Sequence, residues 1–372
     1  MPASSSPAFR VLVLGGYGNF GSLIVRRLGA CEGIQVLVAG RDRKRAEDLA
    51  RETGGEAVCL DMNQPTLAGR LAELRVNLVI CAAGPVRHRD YRVARAAVEA
   101  RAHYLDLADS RAFVCNIGQL DRLARSAGVL VCAGAASLPA LSAAVVDHLL
   151  PRFSRLDSIS HGISWSARIP GLATLVEALD CCGKPLRQWR QGRWQEVYGW
   201  QGLRRHRFAA PLGRRWLAWC DAPDLELFPQ RYAGVRDVQF ASGQGSGLAQ
   251  VGAWALAWLV RSGLLRSVAP YCASLQRMAR ALQPLGSGRS GMFVCLHGEG
   301  DDGRPLALCW ELLASAGHGS SIPASVAVAL ARQLASGRLA RRGAMPCVGL
   351  LGLDDYLAEL DGLQVRQLTR EI

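Results

Sequence analysis

The sequence predicts an α/β chain: a doubly wound parallel sheet first, then an α+β domain. Three observations carry this. With 372 residues, the chain is too long for one ordinary core and suits two domains. Up to about Phe153, short apolar strands alternate with helices, the pattern of a parallel sheet covered on both faces. Beyond it, strands, a hairpin and helices follow without that rhythm. The expected domains are residues 1–153 and 154–372. Sequence alone leaves open whether the late helix of the second returns to the first.

The elements follow in order. Val11 to Leu14 is an all-apolar run that suits a strand buried on both faces. Gly16, Gly18 and Gly21 form a GxGxxG turn, and Ser22 to Leu28 continue as a helix. Further strands are read at Gln35–Ala39, Ala57–Leu60, Asn77–Cys81, His103–Leu107 and Val129–Cys132. Between them lie helices over Ala46–Arg51, Pro65–Leu74, Tyr91–Ala100 and Val114–Ser126. Another helix ends near Phe153. In the second domain, Ser158–Ser164 reads as a strand and Leu172–Cys181 as a helix. Gln188–Tyr198 reads as a hairpin around Gln191-Gly192, and Leu248–Leu282 as one or two helices. Gly291–His297 and Pro305–Leu313 read as an antiparallel pair joined at Asp301-Asp302-Gly303, and Ala324–Ala335 as an apolar-faced helix.

Strand, glycine turn and helix in that order suit a pyrophosphate. The glycines permit a tight turn and a close backbone approach, and the helix N-terminus supplies free N–H groups. The residues expected around a dinucleotide are Gly16, Tyr17, Gly18, Asn19, Phe20 and Gly21. In such sheets ligands bind beyond the carboxyl ends of the strands. After the second strand comes Gly40-Arg41-Asp42-Arg43-Lys44-Arg45. An acidic residue here reads a ribose 2′-OH, whereas Arg41 suits a 2′-phosphate, so NADP is favoured over NAD. Asp42 can cap the next helix instead of reading the ribose. Asp61 and Met62 are placed to touch adenine, and Ala83, Gly84 and Pro85 to border the ribose and pyrophosphate.

These stretches together resemble the NADP-binding domain of the saccharopine dehydrogenase-like family. The matching segments are Gly15–Gly21, Ala39–Asp42, Ala82–Pro85, Tyr91–Asp109 and Ser137–Ser142. The resemblance covers about Arg10 to Phe153, and weaker likenesses to bacterial members follow at Gly171–Leu175, Gly183–Pro185 and Ile322-Pro323. It implies a Rossmann domain, a second α+β domain closing over the nicotinamide, and oxidoreductase chemistry. Two reactions are implied: reduction of an imine formed from an amine and a carbonyl, and reduction of a carbon–carbon double bond.

Hydride transfer needs an acceptor facing the nicotinamide and often a proton donor. The candidates are Asp109, Ser137, Tyr91 and His88. Asp109 can bind a substrate ammonium, relay a proton, or simply cap the following helix. No YxxxK arrangement accompanies a serine. The missing acid–base pair keeps a third reading open, a non-catalytic NADP-binding sensor or scaffold.

The formal charge is +13, almost all from arginine, since Lys44 and Lys184 are the only lysines. The arginines are scattered rather than clustered with aromatics, which argues against nucleic acid. One run, Arg204-Arg205-His206-Arg207, reads first as a solvated face and second as a site for an anionic substrate or membrane surface. Twelve cysteines contain no CxxC pair. Cys59, Cys81 and Cys132 sit in strand patterns as small hydrophobes. With no apolar leader before the first strand, the reading is a reducing, cytoplasmic compartment and no metal. Trp254 and Trp258 lie at i and i+4 in an apolar stretch. Burial of that helix ranks first, a homodimer interface second and membrane contact third. The expected partners are a small-molecule substrate and a second copy of the chain.

Overall fold

A computed structural model describes residues 8–84, 90–166, 172–282 and 287–372. The chain divides into two compact units, residues 1–141 with 320–361 and residues 142–319 with 362–372.

The first unit holds a seven-stranded sheet in the order β3-β2-β1-β4-β5-β6-β15. Its strands are β1 (Phe9–Leu14), β2 (Ile34–Gly40), β3 (Glu56–Cys59), β4 (Leu78–Cys81), β5 (His103–Asp106), β6 (Leu130–Ala133) and β15 (Gly343–Pro346). Every pairing is parallel. Order 3-2-1-4-5-6 is the doubly wound dinucleotide-binding topology that the strand–helix alternation predicts. Its crossovers are α1 (Asn19–Gly29), α2 (Arg43–Thr53), α3 (Leu67–Glu73), α4 (Arg92–Glu99), α5 (Arg111–Cys115) and α6 (Asp121–Ala127). Leu12, Leu37, Ile80 and Leu105, one from each central strand, are fully buried. The helix expected over Val114–Ser126 is broken: a 3₁₀ turn at Ile117–Leu120 separates α5 from α6. Cys59 corrects another expectation, because β3 is the sheet edge and leaves it exposed. Later, α12 (Ser321–Ala335) and α13 (Leu353–Ala358) belong to this unit, with α12 packed on α1.

The second unit is built on a mixed nine-stranded sheet, β10-β11-β12-β7-β13-β14-β16, with β8 and β9 attached through β12. Its strands are β7 (Phe153–Ser164), β8 (Pro185–Arg190), β9 (Arg193–Tyr198), β10 (Arg204–Arg207), β11 (Arg214–Trp219), β12 (Asp237–Gly243), β13 (Ser290–Gly300), β14 (Pro305–Ala314) and β16 (Val365–Glu371). Its helices are α7 (Ser142–Leu149), α8 (Leu172–Asp180), α9 (Asp224–Arg231), α10 (Gly247–Arg261) and α11 (Cys272–Leu282). The expected hairpin is β8–β9, and the expected antiparallel pair is β13–β14.

Three readings change here. Cys295 and Cys309 face each other across β13–β14 and form a disulfide, which cysteine spacing along the chain did not disclose. The run Arg204–Arg207 is not wholly solvated: as β10 it alternates, leaving Arg204 and His206 half-buried and Arg205 and Arg207 exposed. His206 stacks flat on Phe293 at 3.8 Å. Lastly, α10 is not buried on its apolar side: it encloses only Gln250, Ala253 and Ala257. No helix among the described residues is long and apolar enough to cross a membrane.

Candidate nucleotide site

The turn after β1 is held by backbone. Gly15 and Gly16 both donate to the Ala39 carbonyl, at 2.9 and 3.1 Å, and Gly18 donates to Gly15 at 2.9 Å. Gly15 has φ +76°, and a Cβ there would also meet the Ala83 backbone at 2.9 Å. A Cβ on Gly21 would lie 2.2 Å from the Gly15 carbonyl oxygen, so only glycine lets α1 pack this tightly on the turn. Gly18 is the N-cap of α1 and offers no side chain to its free N–H groups. The first turn of α1, which holds Asn19 and Phe20, has no acidic residue. Uncapped donors, a helix dipole and a bare turn fit an anionic group such as a pyrophosphate.

At the end of β2, Tyr17 organises the basic segment. Its hydroxyl accepts from the Asp42 N–H at 2.8 Å. Its ring fills the space over Gly40, where a Cβ would meet it at 2.4 Å. Arg45 lies 4.6 Å from the centre of that ring and donates to the Tyr17 carbonyl at 3.2 Å. Asp42 is the N-cap of α2 and accepts from the Arg45 N–H at 3.1 Å. Arg43 pairs with Glu47 at 2.7 Å. The exposed Arg41 has no carboxylate within salt-bridge distance among the described residues and stands at the strand end. The crowding of cations at this helix start is therefore relieved by Glu47 and the Tyr17 ring, with Arg41 left to meet solvent or ligand.

After β3, Asp61 turns its carboxylate back to the Asn63 N–H at 2.9 Å. Met62 lines a cavity of about 330 Å³ together with Cys81, Tyr91, Tyr104, Asp106 and Phe113. After β4, Ala82 donates to Leu14 at 2.9 Å, which brings Ala83 and Gly84 alongside the glycine turn. Pro85 and His88 lie outside the described residues. Tyr91 points inward: its hydroxyl donates to the Phe113 carbonyl at 2.7 Å, and its ring meets Phe113 at 4.7 Å. Asp109 is exposed just beyond β5, and the N-cap of α5 is Ser110. Ser137 is buried in the turn Ser137–Leu141 that follows β6.

Sequence reasoning places Asp106, the last residue of β5, at a strand end but gives it no role. Its carboxylate is buried and accepts from the Ala108 and Gly134 N–H groups, both at 2.9 Å, clamping the ends of β5 and β6 together. Burial pushes this carboxyl up to about 6, against the pull of those donors and Tyr104. At the other end of β5, burial draws His103 down to about 4, and its Nδ1 accepts from the Leu130 N–H at 2.9 Å. The only available signal for Asp106 was its position at a strand end. In the second unit, Ser142 donates to Asp224, whose Oδ1 lies 3.2 Å from His161 Nε2, all three fully buried.

Among the described residues, His206, Cys309 and Glu311 have ligand atoms within 4.8 Å of one another. Cys309 is tied to Cys295, and Glu311 accepts from Ala209 at 2.7 Å and Arg370 at 2.8 Å. The carboxylate's partners are thus supplied by the protein itself.

Residues 11–132 match the family model described as saccharopine dehydrogenase NADP binding domain. Comparison with curated protein sequences finds no match. Among solved structures, apo saccharopine dehydrogenase (L-Glu forming) from Saccharomyces cerevisiae is similar with a TM-score of 0.68 and 14% identity, covering 98% of this chain and 100% of that one. A homospermidine synthase from Legionella pneumophila, in complex with NAD, is similar with a TM-score of 0.65 and 9% identity, covering 98% and 91%. At these identities the likeness is one of fold, and it extends through both units.

Proposed function

We propose that the chain, whose residues 11–132 match the saccharopine dehydrogenase NADP binding domain, is an NADP-dependent oxidoreductase of that family acting on a C–N bond, imine or amine. The observation that carries this reading is the coincidence of the matched segment with a built anion cradle. The residues that would hold the cofactor are those of the turn, Gly16 to Gly21, with Arg41 at a 2′-phosphate. Asp61, Met62, Ala83 and Gly84 border its adenosine and ribose side. When bound, the cofactor supplies or takes the hydride.

The chain's own residues do the rest. The free N–H groups of α1 bind phosphate oxygens, and Tyr17 orients the segment that carries Arg41. Asp106 keeps the β5 and β6 ends at fixed spacing under the site. Asp109, exposed at the same strand end, is assigned to hold a substrate ammonium or relay its proton. Ser137 is assigned to the nicotinamide end, while Tyr91 shapes the cavity wall from its bond to Phe113.

Imine chemistry is favoured over C=C reduction by the names of the two whole-chain fold relatives, saccharopine dehydrogenase and homospermidine synthase. The apolar helix α10, which turned inward would suit a bulky apolar substrate, instead stands with large side chains in solvent. The test is an NADPH-oxidation screen of amine–aldehyde pairs against unsaturated acyl compounds. Turnover with amine–aldehyde pairs is expected. Turnover confined to the acyl set would transfer the assignment to C=C reduction, and turnover with neither would favour a non-catalytic nucleotide-binding protein.

A further inference from the structure

Helix α10 is inside out. Its buried stripe is Gln250, Ala253 and Ala257, small or polar residues that let it lie against β11. Its large apolar residues point the other way: Leu248 is 70% exposed, Val251 44%, Trp258 46% and Leu259 42%. Positions 248, 251 and 258, with exposed Ala255 between them, make one helical stripe. The stretch beyond carries further exposed apolar side chains, with Leu264 79% exposed, Tyr271 52% and Met278 58%. Large exposed hydrophobics gathered in one sequence stretch are unusual on a monomer surface and mark an interaction face.

The charges within this stretch of the chain have one sign. From Val238 to Gly298 the sequence contains no Asp or Glu, yet it holds Arg261, Arg266, Arg277, Arg280 and Arg289. The first four are exposed, and they sit on α10, the connection or α11. Arg261 packs its guanidinium over Tyr198 at 4.1 Å and Trp258 at 5.0 Å, placing charge beside the apolar stripe. α11 rests on α8, where Asp180 is paired with Lys184 at 2.8 Å. An apolar stripe with Trp and Tyr, rimmed by arginine and free of acid within its own segment, is complementary to an anionic lipid surface. A second copy docking through the same face would set arginine against arginine. At 15 residues α10 is about 22 Å long, short of the roughly 30 Å hydrocarbon core, so it can lie in the interface but not span it.

We propose that α10 and α11 form a peripheral membrane-docking face selective for anionic lipid, with Leu248, Val251, Trp258 and Leu259 entering the headgroup–acyl boundary and Arg266, Arg277 and Arg280 engaging lipid phosphates. The docking face is independent of the catalytic assignment and sits on the second unit.

The test is co-sedimentation of the full chain with vesicles of phosphatidylcholine alone and of phosphatidylcholine with phosphatidylglycerol, at low and high salt. Binding to the anionic vesicles only, weakened by salt, is expected. The variant Arg266→Glu/Arg277→Glu/Arg280→Glu should weaken it by roughly a hundredfold or more, at roughly fivefold per arginine lost. The variant Leu248→Ser/Val251→Ser/Trp258→Ser should weaken it at least about tenfold. Circular dichroism checks that both variants stay folded, and the charge variant alone suffices if the other does not. Absence of binding to anionic vesicles, equal binding to both vesicle types, or unchanged binding by the charge variant overturns the proposal. Dimerisation in sedimentation velocity, abolished by the serine variant and without vesicle binding, assigns the face to a second copy and overturns it too.

Discussion

Helices α10 and α12 are both 15 residues long and both apolar, yet they meet their surroundings in opposite ways. In α12, ten of the fifteen residues are buried, including Val326, Val328 and Leu330. It is enclosed by α1, the turn Ser137–Leu141 and α13. In α10, three are buried and the large side chains face solvent. Apolar content alone does not tell these helices apart. What separates them is how many sides have neighbours, and which stripe carries the small residues. The same contrast of enclosed and open positions recurs at the nucleotide site, between Asp106 and Arg41. Enclosed groups should govern stability, and open ones should govern binding.

The largest effect is expected in α12. Leu330→Ala removes a fully buried side chain and should cost about 2–5 kcal/mol in denaturant unfolding. A cost below about 1 kcal/mol would erase the contrast. Next comes β5, whose two titrating groups act in opposite directions. Asp106 has a folded value of about 6, above that of an unfolded carboxyl. Its contribution is therefore complete below about pH 4 and is lost as pH rises through 6, on the order of 2–3 kcal/mol. Asp106→Asn should remove that decline in melting temperature. His103 is drawn down to about 4, so its contribution is present above about pH 6.5 and is lost as pH falls towards 4. His103→Asn should remove the acid-side decline, and a slope of the same sign in both variants would refute the linkage. Arg41→Ala should weaken NADPH about tenfold or more, leaving NADH affinity and melting temperature unchanged. The smallest effect belongs to α10: Trp258→Ser should change stability by no more than about 0.5 kcal/mol.

Much of the first unit was legible. The runs Val11–Leu14 and Asn77–Cys81 can satisfy burial on both faces only in a covered parallel sheet, and the glycine spacing places the turn. The hairpin at Gln191-Gly192 was legible through its glycine, and both turn residues adopt positive φ, 53° and 71°. The edge strands β10, β15 and β16 were not, since short or half-polar strands carry a weak period-two signal. Asp106 was hidden because its role depends on the Gly134 N–H, 28 residues away. The Cys295–Cys309 pair was hidden by a 14-residue separation that only the β13–β14 register closes. The orientation of α10 escaped because its inward stripe is one glutamine and two alanines, which hydropathy ranks below the large apolar side chains facing out.

The central claim, an NADP site in which Arg41 reads the 2′-phosphate, is tested most directly by fluorescence titration of the full chain with NADPH and NADH. NADPH should bind more tightly than NADH, with the preference lost in Arg41→Ala. Equal affinity for the two nucleotides, or no binding of either, would contradict it.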